Sequence, residues 1–443
     1  MRLVALALAV APGALAAQAG IPTAVRDNAA ARVREGIAPS IVIVVSDSGR
    51  PTMFATGTTV AGGGSPVDVN TVYEIGSITK AFTGLLLADM VRRGEVALDD
   101  PVQRYLPAGV TVPRRGDREI TLRDLATQTS ALPRMPSNFA PADPANPYAD
   151  YSVDSMYAFI GRYALPRDIG SQYEYSNLGV GLLGHALARR AGKDYEALVR
   201  ERLLVPLRMT STAITLTPDM RGRLARGHSG GRPVANWDLP TLAGAGALRS
   251  TAIDMMRFLA ANMDTLSAPL GAAAAVATRD DPAIPGPVGL GWHVAAGAVP
   301  FVWHNGGTGG YRSFAGFDRA RRRAVVVLVN SDVGADDIGR TLLDPSLPLT
   351  PVRAAVAVDT AVLQRYVGEY QLAPTFVMTV RYRDGGLTVQ ATGQPEFQLF
   401  AESETMFFLR VVDARIEFER DSAGTAVALT LYQGGRSQRA AKK

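Results

Sequence analysis

Residues 74–84 read EIGSITKAFTG, and the apolar run AFTGLLLADMV continues to Val91. Ser77 and Lys80 stand three positions apart where a helical pattern begins. On a helix, positions i and i+3 share a face, with Cβ atoms about 5–6 Å apart, so the two side chains can meet. Ile78, Phe82, Leu85, Leu86 and Met90 would bury that helix and take Lys80 out of water. Desolvation lowers an amine's pKa and lets it accept a proton. A serine beside such a base becomes a nucleophile. The Ser77 N–H would lie at the helix N-terminus, where the dipole favours an anion. Taken alone, the same spacing also describes a lysine on a solvated helix face.

The rest of the chain sets the frame. At 443 residues it exceeds one ordinary domain. It is 47% hydrophobic and 20% charged, the balance of a folded globular protein. The net charge is +5, with basic residues scattered except for RARRR at Arg319–Arg323. That cluster reads as a hairpin tip, and nucleic-acid binding is not expected. With no cysteine, the chain has no disulfide, zinc-thiolate site or cysteine nucleophile. Four histidines show no metal-ligand spacing. The opening MRLVALALAVAPGALAAQAG places Arg2 before a short apolar run and small residues. It reads as a signal peptide over residues 1–19, so the mature chain is expected to be periplasmic or secreted, without a stable membrane span.

SIVIVVSD and PTMFATGTTV, joined by SGRP, read as a β-hairpin after a helix over Thr23–Gly36. A mostly helical block follows, from about 77 to 284. Strands resume in VGLGWHVAA, FVWHNGGTGG, SFAGFDRA and AVVVLVNSD, before a short helix at Asp336–Leu343. The expectation is an α+β domain over 21–345: an antiparallel sheet flanked by helices, with an inserted helical domain. A Pro-rich linker at 346–359 precedes a small all-β domain at 360–443, whose strand spacing of about ten residues suits an up-and-down sheet or barrel.

Two further stretches bear on the Ser–Lys pair. YEYSNLGVGLLG sets Tyr175, Ser176 and Asn177 before an apolar helix. Tyr175 can relay a proton, while Asn177 by itself also suits a helix N-cap. WHNGGTGGYRS puts His304, Asn305, Gly306 and Gly307 at a strand end, where glycines let a substrate lie against the backbone. The same glycines would suit a plain hairpin loop.

The three motifs, in this order, resemble the serine β-lactamase and penicillin-binding-protein superfamily, and within it the class C-like branch. That branch includes class C β-lactamases, D-alanyl-D-alanine carboxypeptidases, D-aminopeptidases and family VIII esterases. LRDLATQTSALP (Leu122–Pro133) and AGALRSTAIDMMRF (Ala245–Phe258) add to the resemblance, which spans about Ile21 to Val333. The S-x-x-K element is shared with related enzymes. Residues 360–443 resemble the lipocalin-like module appended to many members.

The resemblance implies acyl transfer through an acyl-Ser77 intermediate, with no metal or organic cofactor. Lys80 matches the base and Tyr175 the proton relay. Asn177, His304, Asn305, Gly306 and Gly307 match the substrate-binding positions, and the Ser77 and Gly307 N–H groups the oxyanion hole. The substrate would be a small molecule or peptide: a β-lactam, a D-amino-acid peptide or an ester. Alternatives are a family VIII-type carboxylesterase and a penicillin-binding sensor that acylates without turnover. Three positions depart from the pattern. His304 replaces a lysine usual in class C β-lactamases. Gln128 and Ala131 replace the His and Gly of the family run T-H-T-S-G-L-P, with no effect on the chemistry expected beyond a reshaped site wall. A rival motif, GHSGG at Gly227–Gly231, fits G-x-S-x-G but lacks the strand before and helix after that a nucleophile elbow needs, so Ser229 is read as a loop residue. His185 is expected to be structural; His228 and His293 carry no assignment.

Overall fold

Runs of β-branched residues from opposite ends of the first 345 residues pair side by side. The computed structural model describes residues 20–264, 270–277, 288–334 and 336–443. The signal peptide expected over 1–19 and the end of the helical block near 284 lie outside the described residues. β1 (Ser40–Asp47), β2 (Arg50–Val60) and β3 (Gly63–Pro66) come from the early hairpin region. β4 (His293–Ala295), β5 (Phe301–Gly307), β6 (Arg312–Asp318) and β7 (Arg323–Val329) follow the helical block. They form one 7-stranded antiparallel sheet in the order β4-β5-β6-β7-β1-β2-β3. Val44 of β1 sits opposite Val326 of β7, so the sheet closes around the insertion.

The helices that place the site are α1 (Thr23–Arg34), α2 (Thr79–Arg92), α3 (Asn177–Ala191), α4 (Ala252–Met263) and α5 (Asp336–Leu343). Side chains alternate along β1. Val42 and Val44 pack with α2 and α4, while Ile41, Ile43 and Val45 pack with α1 and α5. Both faces being covered explains why β1 and β7 read as unbroken apolar runs. Every residue of α2 from Thr79 to Met90 is buried. A helix buried all round belongs in the middle of a core. Phe82 stacks on Phe258 of α4 with centroids 3.7 Å apart.

The RARRR cluster does lie at a turn, between β6 and β7. One expected element is shorter. The strand over Val288–Ala296 contracts to β4, with Val288 only bridging His293. Within the helical block, one helix spans Val153–Ile160, and another begins at Tyr195–Val199 and turns π-helical over Arg200–Leu204.

The C-terminal strands are β8 (Gly368–Ala373), β9 (Phe376–Arg383), β10 (Gly386–Ala391), β11 (Glu396–Ala401), β12 (Met406–Phe408), β13 (Ala414–Arg420), β14 (Ala426–Gln433) and β15 (Arg436–Lys442). They close into a separate barrel. Its interior is filled by side chains, among them Tyr366 stacked on Phe418 at 4.3 Å. Two features escaped the sequence pattern. Thr360–Arg365 is a helix, α6, capped by the Asp359 carboxylate, and not strand. β15 completes the barrel by pairing with β14 and β8, yet only Ala440 in it is buried. Its backbone ladder holds it, and hydrophobic alternation could not reveal it.

Candidate active site

Ser77 does not sit in α2 itself. It lies in a 3₁₀ turn, Gly76–Ile78, that feeds into Thr79. In a 3₁₀ turn positions i and i+3 eclipse. Lys80 Nζ accordingly stands 3.0 Å from Ser77 Oγ and donates to the Ala245 carbonyl at 2.6 Å. Lys80 is 0% exposed. Burial, with a smaller push from the Arg134 charge, holds its pKa well below the usual lysine value. Its Nζ also rests over the Tyr175 ring, 4.9 Å from the centroid.

Gly76 has φ +50, and a Cβ there would approach Gly307 N to 2.8 Å. At Gly306 a Cβ would lie 1.9 Å from the Ile75 carbonyl oxygen. Glycine at both positions lets the end of β5 slide directly against the Ser77 turn. In sequence the strand-end glycines read as room for a substrate; the close approach at Gly306 is to the protein's own Ile75 carbonyl.

Tyr175 and Asn177 are delivered by a clamp. The N-cap of α3 is Ser176, whose Oγ accepts from Gly179 N at 2.8 Å. Asn177 is therefore the first helical residue and not the cap, and its side chain borders the cleft. Asn177 Oδ1 is buried and has no hydrogen-bond partner among the described residues. Ser176 N donates to Gln128 Oε1 at 2.7 Å, and Glu174 N donates to the Gln128 carbonyl at 2.8 Å. Gln128 and Ala131 adopt φ values of +65 and +60 in this tight segment. The Gln128 substitution thus shapes no wall; it holds the backbone on either side of Tyr175. Burial raises the Tyr175 phenol's pKa, and hydrogen bonding with Ser77 offsets part of that rise.

The third motif is rearranged relative to expectation. Asn305, Gly306 and Gly307 border the cleft, and Asn305 Nδ2 donates to the Asp336 carboxylate. His304 does not border it. Its ring is 2% exposed and lies behind the wall, 4.7 Å from the His293 ring and 6.3 Å from Tyr175. Its Nδ1 donates to the Asn305 carbonyl at 2.5 Å. Burial first, then the neighbouring His293 and Lys80, drive its pKa well below the usual histidine value. The imidazole that faces the cleft is that of His293, which the sequence left unassigned. Its pKa falls to about 4, again mainly through burial.

The cleft measures about 490 Å³. Sequence reasoning missed other residues that border it, including Arg134, Tyr148, Trp237 and Arg312. Arg134 and Arg312 each adjoin a recognised motif, but a lone arginine in sequence reads as surface charge. Trp237 is placed by Glu74, whose Oε1 accepts from Trp237 N at 3.1 Å and from Asn236 Nδ2 at 2.9 Å. Ser229 is remote in role: it sits in a two-residue strand and donates to Asp332 Oδ2 at 2.7 Å. His185 meets the Tyr157 hydroxyl, and His228 Nε2 accepts from Ala61 N at 3.2 Å.

A buried amine, a serine hydroxyl and a phenol in one cleft, on an antiparallel sheet with a helical insertion, define a class: the serine hydrolases of the β-lactamase and penicillin-binding-protein type. Residues 25–345 match the model of the beta-lactamase family, and the chain belongs to it. Residues 352–442 match a model described as a domain of unknown function, DUF3471. The chain is 32% identical over 296 residues to the D-alanyl-D-alanine-carboxypeptidase/endopeptidase AmpH of Escherichia coli (strain K12), covering 62% of this chain and 75% of the relative. It is 26% identical over 412 residues to penicillin-binding protein 4* of Bacillus subtilis (strain 168), covering 85% and 89%. A crystal structure of a beta-lactamase/D-alanine carboxypeptidase from Yersinia pestis, complexed with citrate, aligns with TM-score 0.62 and 26% identity over 70% of this chain and 92% of that one. A beta-lactamase/D-alanine carboxypeptidase from Pseudomonas syringae shares the fold with TM-score 0.64 at 20% identity, over 74% and 99%.

Proposed function

We propose that the chain is an exported hydrolase that cleaves amide or ester carbonyls through an acyl-Ser77 intermediate, in the manner of D-peptidases and β-lactamases. The observation that carries this is Lys80, fully buried with its Nζ 3.0 Å from Ser77 Oγ. An amine in that setting is poised to be neutral and to take a proton.

Lys80 accepts the Ser77 hydroxyl proton as Oγ attacks the substrate carbonyl carbon. The new C–O bond pushes the carbonyl electron pair onto oxygen. The N–H groups of Ser77 and Gly307, brought together by Gly76 and Gly306, hold that oxyanion. One such donor is worth on the order of 10²–10³ in rate. Tyr175, against both Lys80 and Ser77, passes the proton to the departing nitrogen or oxygen as its bond to carbon breaks. Water then attacks acyl-Ser77 and the same groups return the proton to Oγ. Asn177, with its free Oδ1, orients the substrate amide. His304 takes no part in the transfer. As a neutral imidazole behind the wall it supports Tyr175 and His293. Export rests on the leader-like residues 1–19 and suits a chain without cysteine.

The test is intact-mass analysis after incubation with a slow β-lactam or a fluorophosphonate, in the parent and in Ser77→Ala. An adduct on Ser77, lost in the variant, is the expected result. An adduct on Ser229 would overturn it. Steady turnover against a single burst separates a hydrolase from a sensor that stalls as the acyl-enzyme.

A further inference from the structure

β5 crosses the cleft with different neighbours at its two ends. At His304 the strand lies against Tyr175, ring centroids 6.3 Å apart. At the far end, Arg312 Nη1 donates to the carbonyls of Thr308 and Tyr311, each at 2.9 Å. With about 3.3 Å per residue, His304 and Thr308 are about 13 Å apart along the chain. Gly307 lies between them and faces Arg312 across the ladder. A Cβ on Gly307 would stand 2.9 Å from Arg312 Nη1, so the guanidinium covers that glycine. If Tyr175 hands a proton to the leaving group, the leaving group points toward the His304 end. The acyl part then runs past Gly307 toward Thr308 and Arg312.

Among the described residues, Arg312 bonds to no carboxylate. Among the described residues its hydrogen bonds go only to those two carbonyls, through one nitrogen. Asp332 and Asp336 are near enough to favour its charge, but neither bonds to it. A guanidinium stays protonated even when partly buried. No Asp or Glu is among the described residues that border the cleft, and a second guanidinium, Arg134, lies over the Tyr175 ring at 5.0 Å. A half-buried cation held in place by carbonyls, with its remaining N–H groups unspent, is incomplete without an anion.

We propose that Arg312 forms an anion subsite on the acyl side of the cleft, so the preferred acyl donor carries a carboxylate on the carbonyl side of the scissile bond. This rests on the acyl-Ser77 reading and goes beyond it: the anion is on the acyl group, not on the leaving group. The competing view is that Arg312 only staples the turn between β5 and β6.

The experiment compares two esters of one leaving group, p-nitrophenyl hydrogen glutarate and p-nitrophenyl valerate, by kcat/KM. The parent should prefer the glutarate, and added salt should shrink the preference. Arg312→Gln should lower the glutarate-to-valerate ratio by about tenfold to a hundredfold, the worth of a hydrogen bond to a charged group. Arg312→Lys, which keeps the charge without the fork, should retain part of the ratio. A parent that treats both esters alike, or a ratio unchanged in Arg312→Gln, overturns the subsite and leaves Arg312 as a staple. Intact mass on both esters reads the Ser77 adduct separately. An adduct without preference sinks only the subsite; a preference with the adduct elsewhere sinks only the nucleophile.

Discussion

Gln128 Oε1 accepts the Ser176 N–H at 2.7 Å, so a residue that does not border the cleft fixes the backbone between Tyr175 and Asn177. That bond is buried, and a buried N–H left without a partner costs about 1–3 kcal/mol. Gln128→Leu should therefore lower thermal stability and reduce kcat more than it changes KM, because the displaced groups act on the reacting atoms. Steady-state kinetics with a neutral ester, alongside calorimetric melting, checks this. An unchanged kcat in a destabilised variant would mean the clamp matters only for folding.

Lys80 must lose its proton to act. Its folded pKa lies well below the usual lysine value. Activity should hold above that folded pKa and fall as pH drops through it, where Lys80 becomes charged. Because Lys80 and Tyr175 interact, the acid limb belongs to the pair. Lys80→Arg cannot supply a neutral base, and acylation should fall by about 10²–10⁴. Near-parent acylation in Lys80→Arg would remove the base assignment. The measurement is the pre-steady-state burst of p-nitrophenol across pH.

His293 should leave a mark on stability rather than chemistry. Its pKa is about 4 in the folded chain against 6.5 as the ordinary value, through burial and the charges of Arg340 and Lys80. Between those two values the unfolded chain holds the proton and the folded chain does not. Unfolding free energy therefore falls as pH drops from 6.5 toward 4, by up to about 3 kcal/mol from this group. His185 contributes in the same direction over the same window and remains in the variant. His293→Asn should flatten part of the slope in urea denaturation at stepped pH. Parallel slopes in parent and variant would show that His293 is accessible to protons when folded.

The barrel draws on its own core. Its buried cluster runs from Leu363 to Ala440, whereas the two clusters around the large sheet contain no buried residue beyond Leu343. A chain stopped after Asp359 should stay soluble and keep most of its activity on small esters. It would retain Thr350, whose N–H donates to Asp337 Oδ2 at 2.8 Å and ties the start of the linker to α5. Loss of the cooperative melting transition in that shortened chain would show that the barrel completes the hydrolase.

Local sequence determined what short-range geometry can carry. Ser77 meets Lys80 because three positions make one turn, and the apolar run behind them leaves the amine nowhere to go but the core. β1 and β7 declare themselves because both faces of their sheet are covered, which favours an unbroken apolar run over alternation. The order of the three motifs was enough to name the family. Tertiary structure decided the rest, because the remaining contacts join residues far apart along the chain. Lys80 finds its carbonyl at Ala245, 165 residues away. Gln128 reaches Ser176 across 48 residues. The imidazole at the cleft is His293 rather than His304, although the two rings lie 4.7 Å apart on adjacent strands, and only packing says which of them borders the cavity. Arg312 looked like surface charge until β6 laid it over Gly307. β15 closes the barrel by backbone pairing that leaves almost no trace in side-chain pattern.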